Sequence, residues 1–139
     1  MKILIDSNVV LDILLHREPW YINAALIFGL TEENFINSYV SASSITDIFY
    51  ISQKQLGKSA AKKSIKQLFS VFRPATVTDN AIYQALELEW EDFEDSVQYI
   101  VGQGLFIDHI ITRDIQDFSS ASINTLTPDQ FIMTIVNDV

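Results

Sequence analysis

Short apolar runs alternate along this chain with longer segments whose apolar residues recur every three or four positions. Residues 2–6, KILID, are apolar and β-branched and close on Asp6, the pattern of a short buried strand. A helix is predicted over 8–15. The Glu18-Pro19 pair breaks the pattern, and 19–31 reads as a second helix with Trp20, Ala24, Ile27 and Phe28 on one face. Residues 36–40 suggest a second strand. Ser44 is then expected to open a helix carrying Ile45, Ile48, Phe49 and Ile51, ending before Gly57. A further helix is expected from Ser59 to Val71, then a short strand over 72–77 bent by Pro74. Thr78 caps a helix through Trp90, and Asp92 caps another to about Val101, which Gly102 and Gly104 stop. Two more strands are expected at His109–Thr112 and Ile123–Leu126. Pro128 sits where the first turn of a last helix tolerates it.

Strands alternating with helices imply an α/β domain with a mostly parallel sheet. In such sheets the ligand crevice lies beyond the carboxyl ends of the strands, and the returning helices bring their N-termini to that edge. No repeat, linker or low-complexity stretch divides the 139 residues, so a single domain over 1–139 is expected.

Composition narrows the chemistry. With 48% apolar residues the chain can build a core. No cysteine is present, which removes disulfides, thiolate metal sites and a cysteine nucleophile. No apolar run reaches the ~18 residues of a membrane helix. Asp6 and Asp12 interrupt the apolar N-terminus as a signal core, so a cytoplasmic protein is expected. The formal charge of −9 argues at first against a nucleic-acid partner. Its distribution changes that inference. Residues 54–73 hold Lys54, Lys58, Lys62, Lys63, Lys66 and Arg73 and no acid, which leaves −15 on the remainder. This stretch is either a solvated helix face or a track for phosphates beside an acidic site.

Four acids map to the predicted ligand edge. Asp6 ends the first strand, Asp47 and Asp95 lie in first helical turns, and Asp114 follows the strand ending at Thr112. Asp92 and Asp117 each stand three residues from one of them. Individually these acids could be capping groups or turn formers: Ser44-x-x-Asp47 resembles a capping box, and Asp92-x-x-Asp95 could act likewise. Together, converging carboxylates repel one another and take up protons unless a cation sits among them. Oxygen ligands without cysteine, and only His16 and His109, favour Mg²⁺ or Mn²⁺ over Zn²⁺. An acidic Mg²⁺ site suits phosphodiester hydrolysis. The chain contains no G-x-S-x-G elbow, Walker A sequence or G-x-G-x-x-G.

These residues resemble the PIN-domain ribonucleases, whose best-known members are VapC-type toxins. The likeness is carried in order by Asp6-Ser7-Asn8-Val-Val-Leu-Asp12, Ser41-x-x-Ser44-x-x-Asp47, Asp92-Phe-Glu-Asp95-Ser, Thr112-Arg-Asp114-Ile-Gln-Asp117-Phe118 and Leu126-Thr-Pro128-Asp-Gln-Phe131. It implies a three-layer sandwich with a central, mostly parallel sheet of four or five strands between helices. It implies an Mg²⁺ or Mn²⁺ pocket in which Asp6, Asp95 and Asp114 are the metal acids. Asp47 falls where members most often carry Glu. One methylene shorter, it would reach metal through water or only cap its helix. Ser7 and Thr112 match hydroxyl positions near the pocket, Asp117 an accessory acid, with Asp92 beside it. Arg113 is placed to meet substrate phosphate. The expectation is a metal-dependent endoribonuclease acting through Asp6, Asp47, Asp95 and Asp114, with Lys54, Lys58 and Lys62 as the phosphate track. The likeness also implies a homodimer and an antitoxin partner, which the surplus negative charge would attract if that partner is basic. A non-catalytic binding or regulatory module is the alternative. His16, His109 and Asp12 are read as structural, with Asp12 closing the polar face of the first helix. Trp20, Phe28, Phe49, Tyr50, Phe93 and Tyr99 are read as core or dimer contacts.

Overall fold

The computed structural model describes residues 1–138. Strand β1 (Lys2–Ile5) leads into α1 (Ser7–Leu14) and α2 (Tyr21–Glu32), then β2 (Asn37–Ser41), α3 (Ala42–Leu56), α4 (Lys58–Leu68) and β3 (Arg73–Ala75). The chain continues through α5 (Asp79–Glu87), α6 (Phe93–Gly104), β4 (His109–Ile111), a 3-10 turn (Ile115–Phe118), β5 (Asn124–Leu126) and α7 (Pro128–Asn137). The sheet order is β3-β2-β1-β4-β5, and every pairing is parallel.

The central strand explains the layering. Ile3, Leu4 and Ile5 are all buried, as a strand covered on both faces requires. Their alternation feeds two cores. Ile3 and Ile5 pack with Val9, Val10, Ile27, Ile48, Phe72 and Phe131, under α1, α2, α3 and α7. Leu4 points the other way, to Tyr99, Ile107, Ile110 and Phe118, under α6. Ala85 of α5 joins Val97 and Val101 of α6 in a satellite on that side. This is the expected three-layer sandwich with five strands. After β3 the chain crosses through α5 and α6 to the far side of β1, so the strand order reverses between β1 and β4. That reversal is where a crevice opens in such sheets.

Several boundaries differ from the sequence reading. Serine 41, not Ser44, occupies the cap position of α3, so that helix begins earlier. Helix α5 stops at Glu87, and Trp90 instead stacks on Tyr99, with ring centres 4.9 Å apart. Trp20 precedes α2 rather than sharing its buried face, and is 42% exposed. Gly102 does not stop α6, which runs to Gly104. A Cβ at Gly102 would stand 3.3 Å from Ile123 Cδ1 and 3.6 Å from Leu4 Cδ2. Glycine is therefore there to let α6 lie close on the sheet. No helix among the described residues is long and apolar enough to cross a membrane.

Candidate active site

Asp6 stands at the carboxyl end of β1 and caps α1. Its backbone N–H donates to the Ile111 carbonyl at 2.9 Å, so the ends of β1 and β4 are tied where the crevice opens. The residue is 7% exposed, and its carboxylate is held by donors on three sides. Oδ1 accepts from the Ser7 N–H at 2.7 Å and from Gln98 Nε2 at 3.0 Å, with the Ser7 hydroxyl at 3.4 Å. Oδ2 accepts from the Thr112 hydroxyl at 2.8 Å. Thr112 is fully buried, and its oxygen also accepts from the Asp114 N–H at 3.1 Å and the Asn8 amide at 3.4 Å. Asn8 reaches Asp114 Oδ2 as well, at 3.3 Å. The first strand end, α1 and the turn after β4 thus form one hydrogen-bonded unit.

The second half of the site comes from α6. Asp92 caps this helix, accepting from the Asp95 N–H at 3.1 Å. Among the described residues no hydrogen-bond donor reaches the Asp95 carboxylate. Desolvation, then the negative charges of Asp6, Asp92, Asp117 and Glu94, push its pKa from 3.8 to about 7. Partial burial raises Asp117 as well, assisted by Asp114, Asp6, Asp92 and Glu91. Asp92, Asp95 and Asp117 line an open cavity of about 430 Å³, with Glu89 and Glu91 at its rim.

The structure brings Asp6, Asp92, Asp95, Asp114, Asp117, Ser7 and Thr112 to one edge. Asp47 is at its border. Because α3 starts at Ala42, Asp47 is the sixth residue of the helix, exposed and without a capping bond. The predicted capping box with Ser44 does not form. The Ser44 hydroxyl instead donates to Glu94 Oε1 at 2.9 Å, across the α3–α6 contact. Glu94 is half-buried, and burial raises its pKa against the Ser44 bond, with Asp6, Asp47 and Asp92 adding to the rise. Glu94, Gln98 and Asn8 are site residues that sequence reasoning did not single out. The signal for two of them was helical arithmetic, since Gln98 lies one turn beyond Asp95 and Asn8 follows the cap of α1.

The cations lie elsewhere. Arg113 turns away from the cleft and pairs with Asp12, which is fully buried rather than on a polar face. Lys58 and Lys62 are exposed on α4, and the Lys54 ammonium sits 4.4 Å over the Tyr50 ring. Every charge that raises Asp95, Glu94 or Asp117 is an acid, and no lysine or arginine moderates them.

Such a donor set fits a hard divalent cation in ligand type and charge. Asp95 lacks a donor, and Oδ2 of Asp6 has one acceptor direction left. Among the described residues, no three acids are already drawn to the spacing of a single ion's ligands.

Comparison with known proteins places these observations. Solved structures similar in fold include the VapBC2 complex of Rickettsia felis bound to a DNA fragment from its promoter. It matches with TM-score 0.69 at 14% identity, covering 91% of this chain and 98% of that one. A toxin–antitoxin complex from Klebsiella pneumoniae matches with TM-score 0.68 at 17% identity, over 90% and 96% of the two chains. VapC20 of Mycobacterium tuberculosis, described as a toxin that cleaves the sarcin–ricin loop, matches with TM-score 0.62 at 14% identity, over 78% and 86%. Among curated protein sequences none is a significant match. The family profile described as PIN domain matches residues 2–116, a span that holds Asp6, the α6 acids and Asp114, and the chain belongs to the PIN-domain family.

Proposed function

We propose that this chain is a metal-dependent endoribonuclease hydrolysing RNA phosphodiester bonds, and the toxin of a toxin–antitoxin pair. One observation carries the reading: carboxylates gather at the β1/β4 reversal with no lysine or arginine among them, and burial and like charge push Asp95 to about 7. Carboxylates converging in this way repel one another, and a cation among them would relieve the repulsion. Asp6, Asp95 and Asp114 would hold Mg²⁺ or Mn²⁺, with Asp47 or Glu94 beside them. The bound ion would supply a polarised phosphate and a water of lowered pKa.

The protein's own groups do the rest. Gln98 and Thr112 fix the Asp6 carboxylate from opposite oxygens, so one acceptor direction faces the cleft. Asn8 steers Asp114 toward the same edge. Asp95 accepts no hydrogen bond from the described residues, so its carboxylate would be free to ligate a bound cation. Glu94, oriented by Ser44, is placed to hold a proton or a water at Oε2. The −15 outside residues 54–73 suits a basic partner that covers the cleft.

The test is cleavage of RNA by the pure protein with Mg²⁺ or Mn²⁺, beside Asp6→Asn. Loss of at least a hundredfold in the variant is expected, and equal cleavage by both would remove the activity from this site. The spacing of the acids favours one second reading, a PIN-like binding or regulatory module without activity. Calorimetry separates the two: absence of Mn²⁺ binding at millimolar concentration, with the fold intact, selects the module.

A further inference from the structure

The turn that presents Thr112 and Asp114 has an anchor outside the acidic cleft. Asp12 lies on α1 one helical turn beyond Asn8, and none of it is exposed. Its partner is Arg113, which sits between the two site residues of that turn. Arg113 Nη2 donates to Asp12 Oδ1 at 3.3 Å, and Nε stands 2.9 Å from Oδ2 as an ion-pair contact. Nε and Oδ2 make no well-aligned hydrogen bond, so the attraction there is Coulombic. The guanidinium carbon, Cζ, lies 3.9 Å from the centre of the Trp20 ring. Helix α1 therefore grips the turn twice. Asn8 takes its backbone at the Arg113 N–H, 3.4 Å away, and also reaches Thr112 and Asp114. Asp12 takes the Arg113 side chain.

Burial raises the pKa of Asp12 even though Arg113 and Arg17 oppose the rise. Pairing thus does not fully offset desolvation, the usual outcome for a buried ion pair, whose loss on one side is still expensive. Such a pair contributes more to geometry than to stability. The planar guanidinium fork, fixed by a carboxylate and an indole, is suited to that task in a way a lysine is not.

We propose that Asp12, Arg113 and Trp20 form a positioning clamp that sets the Thr112–Asp114 turn against α1 and, through the Thr112 hydroxyl, holds the Asp6 carboxylate in place. Arg113 acts through the backbone of its own turn and does not contact substrate phosphate. The catalytic consequence of the clamp rests on the nuclease reading; the clamp itself does not.

Arg113→Lys keeps the cation and removes the fork and the stacking. Hydrogen exchange of the Arg113 and Asp114 amides, followed by NMR in EDTA, reads the clamp without metal or RNA. Exchange at both is expected to rise at least tenfold, while the Leu4 and Ile110 amides stay within twofold of wild type. Calorimetry with Mn²⁺ is expected to show about tenfold weaker binding, as for loss of an outer-shell partner. RNA binding in EDTA should stay within twofold of wild type. Trp20→Leu alters an exposed residue without stranding a buried charge, and is expected to raise the same exchange about threefold. This variant decides the matter if Arg113→Lys accelerates the core amides too. Unchanged exchange at Asp114 in the folded variants overturns the clamp. So does normal Mn²⁺ affinity in Arg113→Lys with RNA binding in EDTA weakened at least tenfold, which would make the Arg113 fork a phosphate ligand. A wild-type protein that binds no Mn²⁺ and cleaves no RNA would end the nuclease reading, and the exchange data would still decide the clamp.

Discussion

Neutralising Asp95 is expected to stabilise the protein in the absence of added metal. In the fold its pKa stands at about 7 against 3.8 for an ordinary aspartate. Between those values the folded protein holds a proton that the unfolded chain has released, so stability is greatest below pH 4 and falls as pH rises through 7. The full difference is worth about 4 kcal/mol. Two effects reduce it: solvent reaches part of the side chain, and a negative charge in the first turn of α6 is worth roughly 0.3–1 kcal/mol that asparagine forgoes. A net gain on the order of 2 kcal/mol is left for Asp95→Asn at pH 8, or roughly 6–10 °C in Tm for a domain of this size. The assay is thermal unfolding by circular dichroism in EDTA, from pH 4.5 to 8.5. The advantage should shrink steadily toward pH 4, because wild-type Asp95 is then neutral as well. Saturating Mn²⁺ should reverse the order, stabilising wild type by about 2.7 kcal/mol at a hundred times its Kd and the variant by little. An Asp95→Asn protein no more stable than wild type at pH 8, or equally favoured at both ends of the range, would refute the account of strain at this carboxylate.

Other perturbations follow from the same geometry. Glu94→Gln preserves an acceptor for the Ser44 hydroxyl while removing charge, so it should fold normally and bind Mn²⁺ about tenfold more weakly by calorimetry; unchanged affinity would place Glu94 outside the cation's reach. Gly102→Val pushes two methyl groups toward Ile123 and Leu4, and should cost about 1–3 kcal/mol in urea unfolding without altering the pH profile. Charge reversal at Lys58 and Lys62 should weaken RNA binding and lower the salt slope by roughly 1.4. An unchanged slope would leave that stretch a solvated helix face.

What could be read from the sequence was what neighbours along the chain decide. Asp6 closing a buried strand, Asp92 and Thr78 capping helices, and Pro128 in a first turn all depend on residues within four positions, and all are found as expected. The PIN-like fold was legible because its motifs come in order. Long-range partners were not. Arg113 finds Asp12 at a separation of 101 residues and Gln98 finds Asp6 at 92, and nothing local distinguishes these side chains from free ones. Gly102 misled for the same reason: in isolation it resembles a helix stop, and only the approach of Ile123 explains it. Ser44 carried a local capping signal that its contact with Glu94 overrides.

The place of β1 in the middle of the sheet bears on when the acid set can assemble as the chain is made. Its first neighbour, β2, is available early, but β4 joins its other edge only after residue 111 has been made. Thr112 reaches back 106 residues to Asp6. Contacts that distant in sequence form late in folding. A nascent chain therefore holds only part of its acid set, at an open edge of β1, until β4 has emerged and paired. Whatever the site does, it cannot do it before β4 and the turn carrying Thr112 and Asp114 have docked on β1.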